Sequence, residues 1–338
     1  MFSFKNDYSE GCHPRILEAL ARTNLEQTVG YALDGHCANA AALIRRAIGC
    51  ESADIHFLVG GTQTNLTAIS AFLRPHHCVL AAATGHVNVH ETGAIEATGH
   101  KVVTRPTPDG KLTAALVQEM VDEHTDEHMV KPGLVYLSQS TELGTVYTKI
   151  ELEAIHACCR KNGLLLYVDG ARLACGLTSG TCDVKLTDLP GLCDAFYIGG
   201  TKNGMLFGEA LVIVNDALKA DFRFFIKQRG AMLAKGRLLG IQFEELFRDD
   251  LYFQLGRHAN ELAQKLQAGL VAKGYPLLQH SPTNQVFPIL TQEQYERFSS
   301  IALFETWSTL PNGRKAIRLV TSWATTQETI DSFLSQLP

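Results

Sequence analysis

The chain has 338 residues, 46% of them hydrophobic and 19% charged, which excludes a disordered or fibrous chain and leaves room for a large domain beside a smaller one. Its net charge of −5 speaks against nucleic acid as a partner, and no apolar run approaches the length of a membrane span. Nine scattered cysteines without a CxxC pair argue against a zinc site or disulfide framework and for free thiols. The opening residues lack the apolar core of a signal peptide, so the expectation is a cytoplasmic protein.

Residues 6–14 form a loop of turn-formers, followed by a helical stretch over 15–21 and an amphipathic helix through Leu43, Ile44 and Ile48. Residues 55–59 read as the first core strand, which runs into Gly60-Gly61-Thr62 and an apolar-periodic helix through Ile69 and Phe72. Glycines at a strand-to-helix turn let a phosphate approach the backbone, and the helix N-terminus supplies free N–H donors. Gly61 and Thr62 are therefore candidate phosphate ligands; taken alone, the same residues also read as a plain turn with Thr62 as N-cap.

Further strands are expected at 78–82, 101–104, 134–138, 164–168, 195–198 and 210–214, with helices at 91–97, 113–128 and 149–161 between them. Such alternation predicts an α/β fold: a mostly parallel, seven-stranded sheet covered by helices on both faces, with the last strand antiparallel after a short link. His86 falls just beyond the second strand, where an imidazole can stack on a flat ring or move a proton, or serve structure alone. His124 and His128, spaced four apart on an acidic stretch, read as a solvated helix face rather than a metal pair, and no metal is expected.

The apolar run 195–198 ends in Gly199-Gly200-Thr201-Lys202. A lysine at the end of a core strand is desolvated, which lowers its pKa and frees the amine as a nucleophile. The run 164–168 delivers Asp169 to the same edge of a parallel sheet, the edge at which α/β proteins bind ligands. An aspartate for a pyridinium nitrogen and a lysine for an aldehyde make the minimal pyridoxal 5'-phosphate site.

Beyond residue 214 the pattern changes. Residues 222–247 carry Lys227, Arg229, Lys235 and Arg237 among glycines, as a long helix preceded by a phosphate-facing loop or as a solvated basic face. A periodic helix over 251–273, short strands at 286–290, 301–307 and 316–320, and a final helix at 327–337 suggest a small α+β domain. The division falls at 1–248 for the N-terminal arm and large domain, and 249–338 for the small one. Arg318 is a charge inside an apolar strand; its fork needs a carboxylate, either the protein's own or that of a substrate.

Taken together, the chain resembles the low-specificity L-threonine aldolases of the β-eliminating lyase group, with the aspartate-aminotransferase-type fold. The resemblance runs through Asp7-Tyr8-Ser9, His13-Pro14, Gly60 to Asn65, His86, Glu91 to Ala94, Thr141 to Thr145, Asp169 to Leu173, Gly199 to Gly204, and Arg318 to Thr321. It implies pyridoxal phosphate held by Lys202, with Asp169 on the ring nitrogen, Arg172 fixing the ring and Gly61 and Thr62 on the phosphate. His86 would stack on the ring and serve as a base for the β-hydroxyl. Ser9, Arg172 and Arg318 would receive the substrate carboxylate. A homo-oligomer, a dimer of dimers with sites at the dimer interface, is implied as well, with Tyr31 and segment 227–237 reaching a neighbour. The implied reaction is cleavage of threonine or allo-threonine to glycine and an aldehyde. β-Elimination and transamination need the same Asp, Lys and Arg, and a non-catalytic binding protein of this fold would lack a reason for the Asp169/Lys202 pair. The chain departs from the common family pattern in reading Gly-Gly-Thr-Lys-Asn around the lysine, in placing His90 where an aromatic residue is frequent, and in having Ala231-Met232-Leu233 in the basic loop.

Overall fold

The computed structural model describes residues 1–338. Strands follow in chain order as β1 (Phe2–Ser3), β2 (Asp54–Leu58), β3 (His77–Ala82), β4 (Lys101–Arg105), β5 (Lys131–Ser138), β6 (Leu165–Asp169), β7 (Ala195–Gly199) and β8 (Glu209–Ile213). The C-terminal part adds β9 (Gln285–Val286), β10 (Ile289–Leu290), β11 (Ala302–Leu303), β12 (Glu305–Thr309) and β13 (Lys315–Val320).

Seven strands form the central sheet in the order β2-β8-β7-β6-β5-β3-β4. β7, β6, β5, β3 and β4 are mutually parallel, whereas β8 runs antiparallel to both β7 and β2. Every residue of β7 and β8 is buried, so both faces of these strands are covered and their sequences read as continuous apolar runs rather than as alternation. One face packs a cluster of 41 buried residues and the other a cluster of 18 that includes Tyr136, Tyr167 and Tyr197. The mostly parallel α/β sheet expected from the sequence is thus present, with its one antiparallel strand.

Local chemistry sets where helices stop. Helix Gly35–Ile48 starts at Asp34, which accepts the Cys37 N–H, and ends at Gly49 in the left-handed region. Helix Lys149–Asn162 starts in a capping box between Thr148 and Glu151. The segment 222–247 is two helices, Phe222–Gln228 and Arg237–Leu246, because Gly230 adopts φ 66° and closes the first. The helix expected over 113–128 ends at Asp122, so His124 and His128 do not share a helix face. At 91–97, left-handed Thr92 and Gly93 leave only a 3₁₀ turn, Glu96–Thr98.

β10, β13 and β12 form a second, antiparallel sheet with β9 also on β13, and β1 pairs in parallel with β11. A third core of 15 buried residues lies here, joining Phe4 to residues from Leu262 to Leu337. A helix unforeseen from periodicity, Gln292–Ile301, buries only Phe298 and is started by a Thr291/Gln294 capping box.

Candidate active site

Parallel strands bring their C-terminal ends to one edge. There β3 leads to His86, β5 ends in Ser138, β6 ends in Asp169 and β7 leads to Lys202. Because β8 alone is antiparallel, it begins at that edge with Glu209, and β2 delivers Gly60, Gly61 and Thr62 to it. These side chains and turns, with Tyr8, Glu142, Arg172 and Tyr197, line a cavity of about 280 Å³. A second cavity, of about 350 Å³, is lined mostly by apolar side chains near Tyr31, His56 and Leu239, and holds neither Lys202 nor Asp169.

Asp169 is buried and held by three donors. Tyr136 Oη and Asn65 Nδ2 donate to Oδ2 at 2.5 and 3.0 Å, and the Ala171 N–H donates to Oδ1 at 2.9 Å. Burial alone pushes this carboxyl up, but the neighbouring His86 and the hydrogen bonds outweigh it and hold Asp169 below the usual carboxylate range. It is therefore an anion at neutral pH.

His86 is fixed from two sides. Its backbone N–H donates to Glu142 Oε1 at 2.9 Å, and its Nδ1 lies 2.7 Å from Glu91 Oε1. Asn65 Nδ2, which holds Asp169, also donates to Glu91 Oε1 at 2.7 Å. In the tautomer whose Nδ1–H donates to Glu91, Nε2 carries the lone pair that a proton acceptor needs. Glu142 accepts from Ser138 Oγ at 2.7 Å, and burial raises its pKa.

No hydrogen bond or ion pair holds Lys202 Nζ; the Tyr8 ring lies beneath it, 5.9 Å from the ring centroid. Burial first, then the Arg172 charge, pull its pKa below the ordinary lysine value, against the pull of Asp7, Asp169 and Glu209. The amine is thus a better nucleophile than a surface lysine.

Helix Gly61–Phe72 opens onto the cavity with no side-chain cap at Gly60, so its first N–H groups are unclaimed. A Cβ on Gly61 would stand 2.9 Å from the Tyr197 hydroxyl. An uncapped N-terminus with glycine approach is a fitting seat for a phosphate.

Both sequence-singled arginines are paired with protein carboxylates. Arg172, on the cavity wall, grips Asp7 bidentately, Nε to Oδ2 at 2.7 Å and Nη2 to Oδ1 at 3.0 Å. Arg318 pairs with Glu305 on the adjacent strand, reaches Gln285 Oε1 at 3.4 Å and covers the Trp307 ring. Its Nε is buried without a partner. Arg318 and Ser9 stand outside the cavity lining; Ser9 is exposed and donates to Asn6 Oδ1 at 2.9 Å. Sequence reasoning gave no role to Asn65, Glu91, Tyr136, Glu142 or Glu209. The one signal available for Glu209 was a carboxylate heading an otherwise apolar strand.

The family model for beta-eliminating lyases matches residues 6–293. The chain belongs to the beta-eliminating lyase family. Within the family it is similar to the low specificity L-threonine aldolase of Pseudomonas aeruginosa, 35% identical over 299 residues that span 87% of this chain and 85% of that protein. The Saccharomyces cerevisiae low specificity L-threonine aldolase is 28% identical over 271 residues, 78% of this chain and 68% of that one. Among solved structures, a Leishmania major threonine aldolase superposes with a TM-score of 0.98 at 52% identity, covering 100% of this chain and 98% of that one. Thermus thermophilus aspartate aminotransferase, at a TM-score of 0.75 and 16% identity over 99% of this chain and 90% of that one, shares the fold. The threonine-aldolase resemblance drawn from the motifs is borne out across nearly the whole chain.

Proposed function

We propose that this beta-eliminating lyase is a pyridoxal-phosphate-dependent aldolase that cleaves L-threonine and L-allo-threonine to glycine and acetaldehyde. The observation that carries the reading is the unpartnered, half-buried Lys202 amine in one cavity with the Asp169 carboxylate and His86. The cavity fits the cofactor by its donor set: an unclaimed helix N-terminus for a phosphate, an anion for a ring nitrogen, and an amine of lowered pKa for an aldehyde. Bound there, pyridoxal phosphate supplies an electron-withdrawing ring that accepts charge from a bond breaking at Cα.

The chain's own residues do the rest. Lys202 would hold the cofactor covalently, Asp169 would keep its ring nitrogen protonated, and Gly61 and Thr62 would hold its phosphate. His86, with Nε2 left as acceptor by Glu91, would take the β-hydroxyl proton of the substrate. Arg318 would receive the substrate carboxylate, with Arg172 and Ser9 nearby, which requires Arg318 to share its fork with Glu305.

We further propose a cytoplasmic homo-oligomer, a dimer of dimers. Exposed Leu25, Val29, Tyr31 and Phe224 support an interface around segment 227–237, and nine free cysteines support a reducing compartment. A division at 1–248 and 249–338 rests on the separate C-terminal core, which begins at Leu262 and to which Phe4 crosses over, although Leu251, Tyr252 and Leu255 pack in the large core.

The test is product analysis. Purified protein with added pyridoxal phosphate should turn threonine or allo-threonine into glycine and acetaldehyde in equal amounts. Borohydride should fix the cofactor on Lys202, and Lys202→Ala should abolish turnover. Ammonia with a keto acid instead of glycine would move the protein to the eliminating lyases, and label on Lys227 or Lys235 would remove Lys202 from its role.

A further inference from the structure

Of the buried carboxyls that line the Lys202 cavity, Asp169 on β6 and Glu209 on β8 flank the strand that leads to Lys202, and they are held differently. Asp169 accepts three hydrogen bonds of 2.5 to 3.0 Å and has what an anion requires. Glu209 is just as buried, at 4% exposure, yet the backbone donor to its oxygens is the Gly200 N–H, at 3.3 Å. No arginine or lysine forms an ion pair with it. Its place is set by register: Glu209 heads β8 directly opposite Gly199, the last residue before the turn that carries Lys202. Both side chains line the same cavity.

A buried carboxyl with one long backbone donor, the Thr201 side chain beside it and no paired cation holds its proton more tightly than an ordinary glutamate. Burial first, and then the Asp169 charge, push Glu209 up to about 8, while Lys202 and the Thr201 side chain hold it down. The phenols of Tyr167, Tyr197 and Tyr252 lie within reach of its charge, and all three are kept neutral by burial. Lys202 is therefore the group positioned to exchange charge with Glu209.

Resting on the reading of Lys202 as the cofactor-holding amine, we propose that Glu209 is the proton partner of Lys202, a positioning residue that sets the charge on its nitrogen. The exchange is one proton transfer. The Glu209 O–H bond breaks, an N–H bond forms on the Lys202 nitrogen, and a carboxylate faces a cation; the reverse step restores the neutral pair. With no direct ion pair between them, the proton crosses by rotation of the flexible lysine side chain or through one water. Each time Lys202 gives way to an incoming amino acid and later returns, its nitrogen must change charge inside a partly desolvated cavity. A neighbouring carboxyl that titrates with it supplies that proton without recourse to bulk water.

The test uses the full-length protein loaded with pyridoxal phosphate. Absorbance of the bound cofactor against pH reports the charge on the Lys202 nitrogen. In wild type the curve should be broader than a single-site titration, as for two coupled groups. In Glu209→Gln it should narrow to one site with its midpoint lowered by about one pH unit, the lower end of what losing a nearby opposite charge does. Glu209→Asp should restore much of the shift. If Glu209→Gln holds the cofactor weakly, the pH dependence of borohydride-trapped labelling of Lys202 gives the same midpoint. An unchanged midpoint and width in Glu209→Gln, with label still on Lys202, overturns the proposal and leaves the aldolase reading intact. Label on another lysine overturns that reading instead.

Discussion

Asn65 ties the site together at the scale of single residues. Its amide nitrogen donates both to Asp169 and to Glu91, and its oxygen accepts from the Tyr167 hydroxyl at 3.1 Å. One side chain thus fixes the carboxylate proposed for the ring nitrogen and the carboxylate that orients His86. His86→Asn removes the proton acceptor while leaving Asp169, Lys202 and the helix N-terminus in place. Threonine turnover should fall by about 10²-fold or more, the usual worth of a positioned general base, with the cofactor content of the purified protein near that of wild type. A variant with normal turnover would pass the base role to another group. Asp169, Lys202 and His86 were legible in the sequence because each follows an apolar run at a strand end. Asn65, Glu91 and Tyr136 were not, since they act through contacts between distant segments. Arg318 could be read as needing a carboxylate; which one supplies it in the unliganded chain, Glu305, follows from strand register.

At the scale of elements, the site depends on how closely β6 and β7 run at their ends. The Gly199 N–H donates to the Gly170 carbonyl at 3.0 Å, and a Cβ on Gly170 would stand 1.8 Å from the Tyr197 carbonyl oxygen. No side chain can move aside there, because the obstacle is backbone. Gly170→Ala should force the strand ends apart, costing about 1–3 kcal/mol as overpacking does. Since those ends carry Asp169 and lead to Lys202, cofactor retention should weaken in parallel. Urea unfolding together with cofactor absorbance checks both, and a stable variant that keeps its cofactor would show that the strand spacing is not critical. The central strands were legible as apolar runs because both faces of the sheet are covered. Helix Gln292–Ile301 was missed for the opposite reason: only Phe298 is fully buried, and its apolar stripe is just Tyr295, Phe298 and Ile301 in an otherwise polar run, so its capping box was the clearest local signal.

At the scale of the whole molecule, the N-terminal segment joins the C-terminal sheet to the cavity. Phe2 and Ser3 pair with β11, the Val320 N–H on β13 donates to the Phe4 carbonyl at 2.9 Å, and the Phe4 ring packs edge-on to Phe333. Asp7, fully buried, follows within the same segment and accepts from Arg172 on the cavity wall and from Asn284 Nδ2 at 2.9 Å. Burial raises the Asp7 carboxyl, but Arg172 and Lys202 outweigh it, so its folded pKa lies below the ordinary 3.8. A depressed carboxylate contributes stability that is fully present above its unfolded value and is lost as pH falls through the folded one. Asp7→Ala leaves Arg172 buried and unpaired, which costs about 3–5 kcal/mol at neutral pH. Between pH 3.8 and the lower folded value, the variant should lose less stability on acidification than wild type does, since it no longer carries the group that must take up a proton. Urea midpoints measured from neutral to acid pH test both statements. Because Asp7 orients Arg172 and its segment is bonded to the strand that bears Arg318, the same change should raise the KM for threonine more than it lowers kcat. Equal midpoints at neutral pH would mean that the Asp7–Arg172 pair does not hold the two parts together.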